Sequence, residues 1–274
     1  MLRKALLLAY NSVMKIGIIG GSGVYNLDGL SGKEERVLDT PYGQPSGPLV
    51  ECELEGRDIV FLARHGKDHA IPPHKINYRA NISAMKQLGV VRILSIGAVG
   101  GIREEWRPGT IVVPDQVLDM TMGARPGTFF DGGKVMHIDF TDPYCPQLRR
   151  ILAERIEPLG DQASAGGTYI CTNGPRLESA AEIRFFGRIG ADIVGMTAMP
   201  EAALAREAEL CYASICIVTN PAAGLSGTKL TTSEVMAAMK AASGRLHQIL
   251  REAILAIPDS RNCPCSTSLR SAAV

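Results

Sequence analysis

The chain has 274 residues, 46% of them hydrophobic, so it is long enough to bury a sizeable core. Its 29 Lys and Arg residues balance 28 Asp and Glu residues and leave a net charge of +1. This balance provides no overall positive field, so neither nucleic acid nor a membrane is an expected partner, and any anion must be bound by a local site.

The first residues combine a basic start with a short apolar stretch. No small-residue cleavage site follows, and the stretch is too short to cross a membrane. Met14 stands directly before the first strand pattern. We therefore interpret residues 1–13 as a dispensable extension, with a secretory signal as the alternative, and expect a cytoplasmic protein.

Strand and helix patterns alternate along the chain. Apolar runs predict strands at residues 15–21, 57–63, 91–101, 109–114, 167–172, 191–196 and 212–219. Helical periodicity predicts helices at residues 75–89, 145–160, 179–190, 200–210 and 232–257. The order predicts an α/β fold, a single domain over residues 14–257 with a central mixed, partly parallel sheet flanked by helices. The polar residues 258–274 are predicted to form a flexible tail.

The cysteines and histidines give little indication of a metal. Three of the seven cysteines lie on or beside strand-like runs and are interpreted as core residues. Cys263 and Cys265 are interpreted as two thiols in a disordered tail, with a redox pair or a loose metal ligand as the alternative. His69 and His74 lack nearby acidic or thiol partners. No metal is predicted.

A glycine turn, Gly20 to Gly23, closes the first strand and includes Ser22. Glycines at this position permit the close backbone approach that an anion-binding turn needs. The turn is not a dinucleotide fingerprint, because Asn26 occupies the place of the third glycine, and no Walker lysine follows. A tight turn without a ligand is the alternative interpretation.

Arg64 and His65 end another predicted strand. The planar guanidinium and the imidazole can both donate hydrogen bonds to an oxyanion, so the pair suits phosphate. A surface arginine beside a helix-capping histidine is the alternative.

Glycine-rich or polar residues also end the other predicted strands, and together these ends indicate a small-molecule site. Gly97 lies in one such segment, Met196 and Thr197 follow another, and Asn220 follows the last. Met196 could simply be a core residue, and Thr197 could be a helix cap. However, such ends near positions 20, 64, 97, 172, 196 and 219 are predicted to converge on one edge of the sheet.

At this point the residues resemble a known family. The segments "GGSG", "ARHGKDHAIPPHKINYRAN", "GAVGGIREEWRPG", "HIDFTDPYC", "GPRLESAAEI" and "GADIVGMTAMPEAALARE" resemble the trimeric purine nucleoside phosphorylases, in the branch that contains methylthioadenosine phosphorylase. The resemblance covers residues 14–255. It implies reversible cleavage of a purine ribonucleoside by inorganic phosphate, with phosphate as co-substrate and no cofactor.

The resemblance also implies roles for individual residues. The phosphate ligands would be Ser22, Arg64, His65, the backbone of Gly97 and Ala98, and Thr197. The nucleoside would contact Leu177, Glu178, Val194, Met196, Asn220, Pro221, Ala222, Thr232 and, from a neighbouring subunit, His137. Methylthioadenosine-cleaving relatives usually carry a hydroxyl residue where Gly97 stands, so here only the backbone is expected to bind phosphate.

Catalysis in such a site needs no nucleophilic side chain, because phosphate itself attacks C1′. Asn220, Glu178 and His65 are the predicted catalytic residues. Relatives that use adenine resemble one another in having aspartate at position 220 and serine at position 178, so the residues here imply a 6-oxopurine. A turn before Pro221 is the alternative role for Asn220.

The resemblance implies a preferred nucleoside but leaves alternatives open. Thr232 stands where inosine-cleaving relatives have a histidine that binds the 5′-hydroxyl, and threonine is compatible with either 5′ group. Because the overall resemblance is to the methylthio branch, methylthioinosine is the first predicted substrate and inosine or guanosine a close second. A methylthioadenosine phosphorylase, a non-catalytic nucleoside-binding protein and a nucleoside hydrolase remain further alternatives. The role of His137 implies a homotrimer or a dimer of trimers, with a surface histidine as the alternative.

Overall fold

The protein is described by a computed structural model that covers residues 14–21, 29–121, 123, 125–227 and 231–273. The predicted extension at residues 1–13 and the predicted phosphate ligand Ser22 lie outside the described residues. Within the described ranges, no helix has the length and apolar character needed to cross a membrane.

The described residues form eleven strands in one sheet, together with five α-helices. The strands are β1 (Lys15–Gly20), β2 (Leu30–Arg36), β3 (Leu49–Leu54), β4 (Arg57–Ala63), β5 (Val90–Gly101), β6 (Ile111–Val112), β7 (Gln116–Met120), β8 (Ala163–Ser164), β9 (Thr168–Thr172), β10 (Ile193–Gly195) and β11 (Cys211–Pro221). The helices are α1 (Tyr78–Gln87), α2 (Pro146–Ile156), α3 (Ala180–Arg188), α4 (Ala198–Glu207) and α5 (Thr232–Ala256).

Strand β5 is the centre of the sheet because it pairs with three other strands. Strands β4 and β1 run parallel to it on one edge, and β11 runs parallel to it on the other. Strand β10 is antiparallel to β5 and carries β9 and then β7 beyond it. Strands β3 and β2 extend the far side of β4 in antiparallel fashion. The predicted α/β class with a mixed sheet is confirmed.

Helices cover both faces of the sheet, and the central strands are apolar on both sides. In β11, Ile215 and Ile217 join the core formed with α2 and α5, whereas Tyr212 and Val218 join the core formed with α1 and α4. This separation follows from the two-residue period of a strand, which points successive side chains to opposite faces.

The apolar pattern does not predict strands β2, β3, β7 and β8. Strand β2 is almost wholly exposed and polar, so it has no hydrophobic period, and it becomes a strand by pairing with β3 at the edge of the sheet. The predicted strand at residues 109–114 is reduced to the two residues of β6. Pairing partners far along the chain decide these elements, and local propensity does not reveal them.

The C-terminal segment, residues 258–273, folds back against the domain, which corrects the prediction of a flexible tail. Arg92 Nη2 donates a hydrogen bond to the carbonyl of Ser260 at 2.7 Å. Ser268 Oγ donates to the carbonyl of Arg206 at 2.6 Å. The segment is held by backbone carbonyls and by side chains distant in sequence, so its polar composition gives no sign of the packing.

Candidate active site

A gap in the sheet opens along one edge of β5. Strand β1 pairs with this edge as far as Ser95, and β10 pairs with it from Gly100 onward. Between these two strands, Gly97 and Ala98 have no strand neighbour on that edge among the described residues. A side-chain carbon placed on Gly97 would meet no atom of the described residues within 4 Å. The gap therefore exposes the backbone of β5 to any molecule that enters it.

Strands approach this gap from two opposite directions. The carboxyl ends of β1 and β4 reach it together, and the Arg64 amide donates to the carbonyl of Gly20 at 3.0 Å. Because β10 is antiparallel to β5, its end at Gly195 runs back along β5 from the other side, beside the end of β9. The sequence predicted that all these ends would converge on one edge of the mixed sheet. The structure instead brings two sets of strand ends to face each other.

A buried ion pair lies beside the gap. Arg64 Nε donates to Glu201 Oε2 at 2.7 Å, and Arg64 Nη2 donates to Glu201 Oε1 at 2.8 Å. The two side chains are 2% and 0% exposed. The carboxylate also accepts hydrogen bonds from Tyr212 Oη at 2.8 Å and Ser95 Oγ at 3.1 Å. Burial alone lowers the pKa of Arg64, but the charge and hydrogen bonds of Glu201 raise it above its ordinary value, so the guanidinium stays charged.

The ion pair also determines which donors of Arg64 remain. Arg64 Nη1 donates to the carbonyl of Ile96 at 2.8 Å, immediately before Gly97. A guanidinium has five N–H groups, and here the second N–H of Nη1 has no hydrogen-bond partner among the described residues. Arg64 thus offers the gap one donor and a positive charge, and not the whole fork that the sequence suggested.

His65 is held in one tautomer. Its Nδ1 lies 2.9 Å from the carbonyl oxygen of Ile71, and because a carbonyl only accepts, Nδ1 carries the hydrogen. The pKa of His65 is lowered to about 4, mainly by burial and also by the charges of Arg64 and His69, against the opposing effect of the Ile71 hydrogen bond. The ring is therefore neutral near pH 7, and Nε2 is an acceptor. The sequence had suggested a second donor.

Thr197 and Met196 lie between the end of β10 and the start of α4. Thr197 occupies the N-cap position of α4, but its side chain makes no capping hydrogen bond. The Met196 thioether lies against Gly174, since a side-chain carbon on that glycine would be 2.5 Å from Met196 Sδ. Both side chains are half-buried at the end of β10, so the capping and core-packing alternatives do not account for them.

A small apolar cluster lies on the β10 side of the gap. Val194 and Ala222 belong to it, together with side chains from β9 and α3. Gly100 lies against both, because a side-chain carbon there would be 3.1 Å from Val194 Cγ1 and 3.5 Å from Ala222. Pro221 pairs with Gly101 at the end of β11. This cluster is an apolar wall next to the end of β11.

Asn220 and Glu178 each keep free hydrogen-bonding capacity. Asn220 Nδ2 donates to the carbonyl of Pro221 at 2.8 Å, and its Oδ1 accepts from Thr219 Oγ1 at 2.8 Å. Within the described ranges, the amide therefore retains one N–H and one lone pair that have no partner. Glu178 Oε1 accepts from Thr172 Oγ1 at 2.7 Å, and its Oε2 has no hydrogen-bond partner among the described residues.

Gly224 brings the loop after Asn220 close to the Glu178 segment. Its φ is +83°, and a side-chain carbon there would be 2.4 Å from Cβ of Ala180, the first residue of α3. The N-terminus of α3 is fixed by a capping box between Ser179 and Glu182. The amide of Asn220 and the carboxylate of Glu178 thus belong to two segments in close contact.

The remaining predicted residues lie at the surface of the single chain. Leu177 is 53% exposed. Thr232 is exposed at the first position of α5, after the N-cap residue Thr231. His137 is also exposed, and its amide donates to the carbonyl of Ala272 at 2.8 Å. The structure therefore does not bring these three side chains into an enclosed pocket within one chain.

Two buried charged residues near the gap, Glu201 and Arg125, are not predicted from the sequence. Glu201 follows the stretch "GMTAMP", and its only signal is that it is an isolated acid in an apolar run. Arg125 Nη1 donates to the carbonyl of Met199 at 2.6 Å, and Nη2 donates to the carbonyl of Asn173 at 2.9 Å, which ties α4 to the end of β9. Such partners are far apart in the chain and cannot be paired from spacing.

We predict that Arg64→Ala lowers the free energy of unfolding by roughly 3–5 kcal/mol, because it leaves Glu201 buried with an uncompensated charge. Adding Glu201→Gln should recover part of this loss, since the amide carries no charge. Urea denaturation of the two variants measures the difference. A double variant that is no more stable than Arg64→Ala would contradict the role of the ion pair.

We predict that His65 makes folding pH-dependent. Below its ordinary pKa of about 6.5 the unfolded chain takes up a proton at His65, whereas the folded chain does so only near its pKa of about 4. The free energy of unfolding should therefore decrease as the pH falls from about 6.5 to about 4, by an amount on the order of 3 kcal/mol. Urea denaturation across this range should give a flatter pH dependence for His65→Gln than for the wild type. Parallel curves would contradict the prediction.

We predict that Gly224→Ala is more damaging than Gly227→Ala. Both glycines have positive φ, of +83° and +70°, so both variants carry backbone strain, but a methyl group at residue 227 meets no atom of the described part of the chain within 4 Å. The contact with Ala180 should make Gly224→Ala less stable by roughly 1–3 kcal/mol. Thermal denaturation of the two variants measures this difference. Equal losses of stability would contradict the close approach of the two segments.

Comparison with known proteins shows the family of the chain. The model of the Phosphorylase superfamily matches residues 15–255. A probable S-methyl-5′-thioinosine phosphorylase of Thermodesulfovibrio yellowstonii is 47% identical over 94% of this chain and 97% of its own length. A probable 6-oxopurine nucleoside phosphorylase of Thermococcus kodakarensis is 50% identical over 94% and 98% of the two chains. The crystal structure of a methylthioadenosine phosphorylase from an Antarctic soil metagenomic library superimposes with a TM-score of 0.90 at 37% identity, covering 96% of this chain and 93% of that one. The chain belongs to the Phosphorylase superfamily, in which these nucleoside phosphorylases are its relatives.

Proposed function

We propose that this protein cleaves a 6-oxopurine nucleoside with inorganic phosphate, and that S-methyl-5′-thioinosine is its first substrate. The products are hypoxanthine and 5-methylthioribose 1-phosphate. The observation that carries the proposal is the gap in the sheet, which has anion-binding groups on the β4 side and, on the β10 side next to the end of β11, hydrogen-bonding side chains with an apolar wall.

Phosphate binds in the proposal against the backbone of Gly97 and Ala98. Arg64 supplies a positive charge and its free Nη1 N–H, and Thr197 supplies a hydroxyl that is not used as a helix cap. The neutral His65 ring accepts at Nε2 the hydrogen bond of the one protonated oxygen of hydrogen phosphate. Ser22 completes the proposed set.

The base lies in the proposal between Glu178 and Asn220, against Val194 and Ala222. A 6-oxopurine carries N1–H, which donates to the Glu178 carboxylate, whereas adenine would present a lone pair to that carboxylate. Sites built around such a hydrogen bond discriminate by up to ~10⁴–10⁵-fold. The free N–H of Asn220 donates to O6 and its free lone pair accepts from N7–H of the departing base.

The reaction balances without a nucleophilic side chain. An oxygen of hydrogen phosphate forms a bond to C1′ as the bond from C1′ to the purine breaks, and the bonding pair leaves with the base. The proton of hydrogen phosphate ends on the released purine. Catalysis then consists of aligning phosphate opposite the leaving base and stabilising the charge that develops on it. No cofactor takes part at the reacting atoms.

The 5′ group decides between the first and second candidate substrates. Thr232 stands where the resemblance implies a histidine for a 5′-hydroxyl, and threonine suits either 5′ group. The likeness to a protein named as a probable S-methyl-5′-thioinosine phosphorylase favours a methylthio group. Inosine or guanosine is the second candidate, favoured by the likeness to a protein named as a probable 6-oxopurine nucleoside phosphorylase. Methylthioadenosine is disfavoured by Glu178.

We further propose that the protein acts in the cytoplasm as a homotrimer or a dimer of trimers. His137 is exposed on the single chain, and Leu177 is an exposed apolar side chain within the proposed nucleoside set. In a trimer, His137 would complete the site of a neighbouring subunit.

A substrate panel tests the proposal. The purified protein is incubated with methylthioinosine, methylthioadenosine, inosine or guanosine, with and without phosphate, and the released base is measured. We expect release only with phosphate and the highest kcat/KM for methylthioinosine. Phosphate-independent release would indicate a hydrolase, and binding without release would indicate a nucleoside-binding protein. Either result would reject the proposal.

We predict that the double change Asn220→Asp with Glu178→Ser exchanges the base preference. A carboxylate at residue 220 accepts from the 6-amino group and repels O6, and serine removes the acceptor for N1–H. Each hydrogen bond is worth about 1–3 kcal/mol, so the ratio of kcat/KM for methylthioadenosine over methylthioinosine should rise more than about tenfold. A folded double variant with the wild-type ratio would place base selection elsewhere.

A further inference from the structure

Four cysteines from distant parts of the chain meet in a thiol cluster (Cys145, Cys211, Cys263 and Cys265). Cys145 caps the start of α2, and Cys211 is the first residue of β11. The other two come from the C-terminal segment. Their four Sγ atoms all lie within 4.8 Å of one another, and three of the residues are buried. None of the four cysteines is among the residues used in the proposed reaction.

The spacing of the sulfur atoms matches a tetrahedral metal site. Four thiolates at about 2.3 Å from a zinc ion have sulfur atoms about 3.8 Å apart. The upper limit of 4.8 Å and the 3.4 Å separation of Cys211 Sγ from Cys263 Sγ lie on either side of that value. Exactly four donors are brought together from the described residues, which is the number that closes a structural zinc site and leaves no open position.

A buried cation lies beside the cluster. Arg92 is 1% exposed, and its Nε has no hydrogen-bond partner among the described residues. Its only partners there are the Ser260 carbonyl and Met14 Sδ, so no carboxylate balances its charge within those ranges. Arg92 is placed next to the cluster by the pairing of β5 with β11, in which it lies opposite Cys211. A metal held by four thiolates carries two negative charges, which an arginine at this position compensates.

The C-terminal cysteines are brought into place by contacts other than their sulfur atoms. Arg261 Nη1 donates to the carbonyl of Glu209 at 2.9 Å, immediately before the two cysteines. Ser268 Oγ donates to the carbonyl of Arg206 at 2.6 Å, immediately after them. Hydrogen bonds on both sides of Cys263 and Cys265 therefore hold this part of the chain in place, as a preformed site requires.

We propose that the thiol cluster is a structural zinc site that fastens the C-terminal segment to α2 and β11. On binding, the thiol protons pass to solvent and four Zn–S bonds form, so the sulfur atoms are neither oxidised nor reduced. Beyond the cluster, Ala272 and Ala273 pair with His137 and Met136, so the fastened segment also supports the strand-like stretch that carries His137.

The first test is metal analysis of the full-length protein, purified with reductant and without chelator and freed of any affinity tag. We expect about one zinc ion per chain by elemental analysis. Replacement by cobalt should give the intense visible absorption of tetrahedral cobalt thiolates. A chelator strong enough to remove the ion should lower the melting temperature and expose the four thiols to alkylation.

Matched variants separate the site from the other cysteines. Cys265→Ser should lose most of the zinc and the cobalt absorption, Cys263→His should retain metal because imidazole is a zinc ligand, and Cys52→Ser, a buried cysteine outside the cluster, should behave as the wild type. Reduced wild-type protein that takes up neither zinc nor cobalt overturns the proposal. Alkylation and mass analysis then show whether the sulfur atoms are free thiols or form two disulfides. Either form without bound metal overturns the proposal.

Discussion

The buried ion pair between Arg64 and Glu201 is the interaction on which the site depends. Neither charge could be buried alone without a large desolvation cost, but each is paired and the carboxylate also accepts from Ser95 and Tyr212. Because Arg64 reaches the carbonyl of Ile96 as well, the pair connects β4, β5 and α4 at the mouth of the gap. Its geometry fixes where positive charge stands beside the exposed backbone of β5.

The antiparallel direction of β10 explains how one gap can serve two reactants. If β10 ran parallel to β5, its carboxyl end would point away from the ends of β1 and β4. The actual direction places Thr197 and the apolar residue Val194 across from Arg64. A displacement at C1′ needs its nucleophile and its leaving group on opposite sides of the sugar, so two opposed walls suit the proposed chemistry better than one shared edge.

The C-terminal segment shows a second way in which distant residues cooperate. Its packing depends on Arg92, Arg206 and Glu209, which belong to the domain and lie at least fifty residues earlier in the chain. The segment in turn pairs with the backbone of His137. Stability of this region and the position of a residue proposed to serve a neighbouring subunit are thus linked through the same stretch of chain.

The sequence by itself determined the α/β class and the central strands, because strands buried on both faces read as apolar runs ending in glycine or polar residues. It also identified Arg64, His65 and Asn220 as candidate ligand groups by their chemistry and their place after strands. Tertiary structure alone decided that β10 is antiparallel, that Arg64 keeps one free donor and that His65 presents an acceptor. It also decided that four cysteines meet. The physical reason is that hydrophobic period is a local property, whereas hydrogen-bond partners such as Arg64 and Glu201 lie 137 residues apart and are set only when the chain has folded.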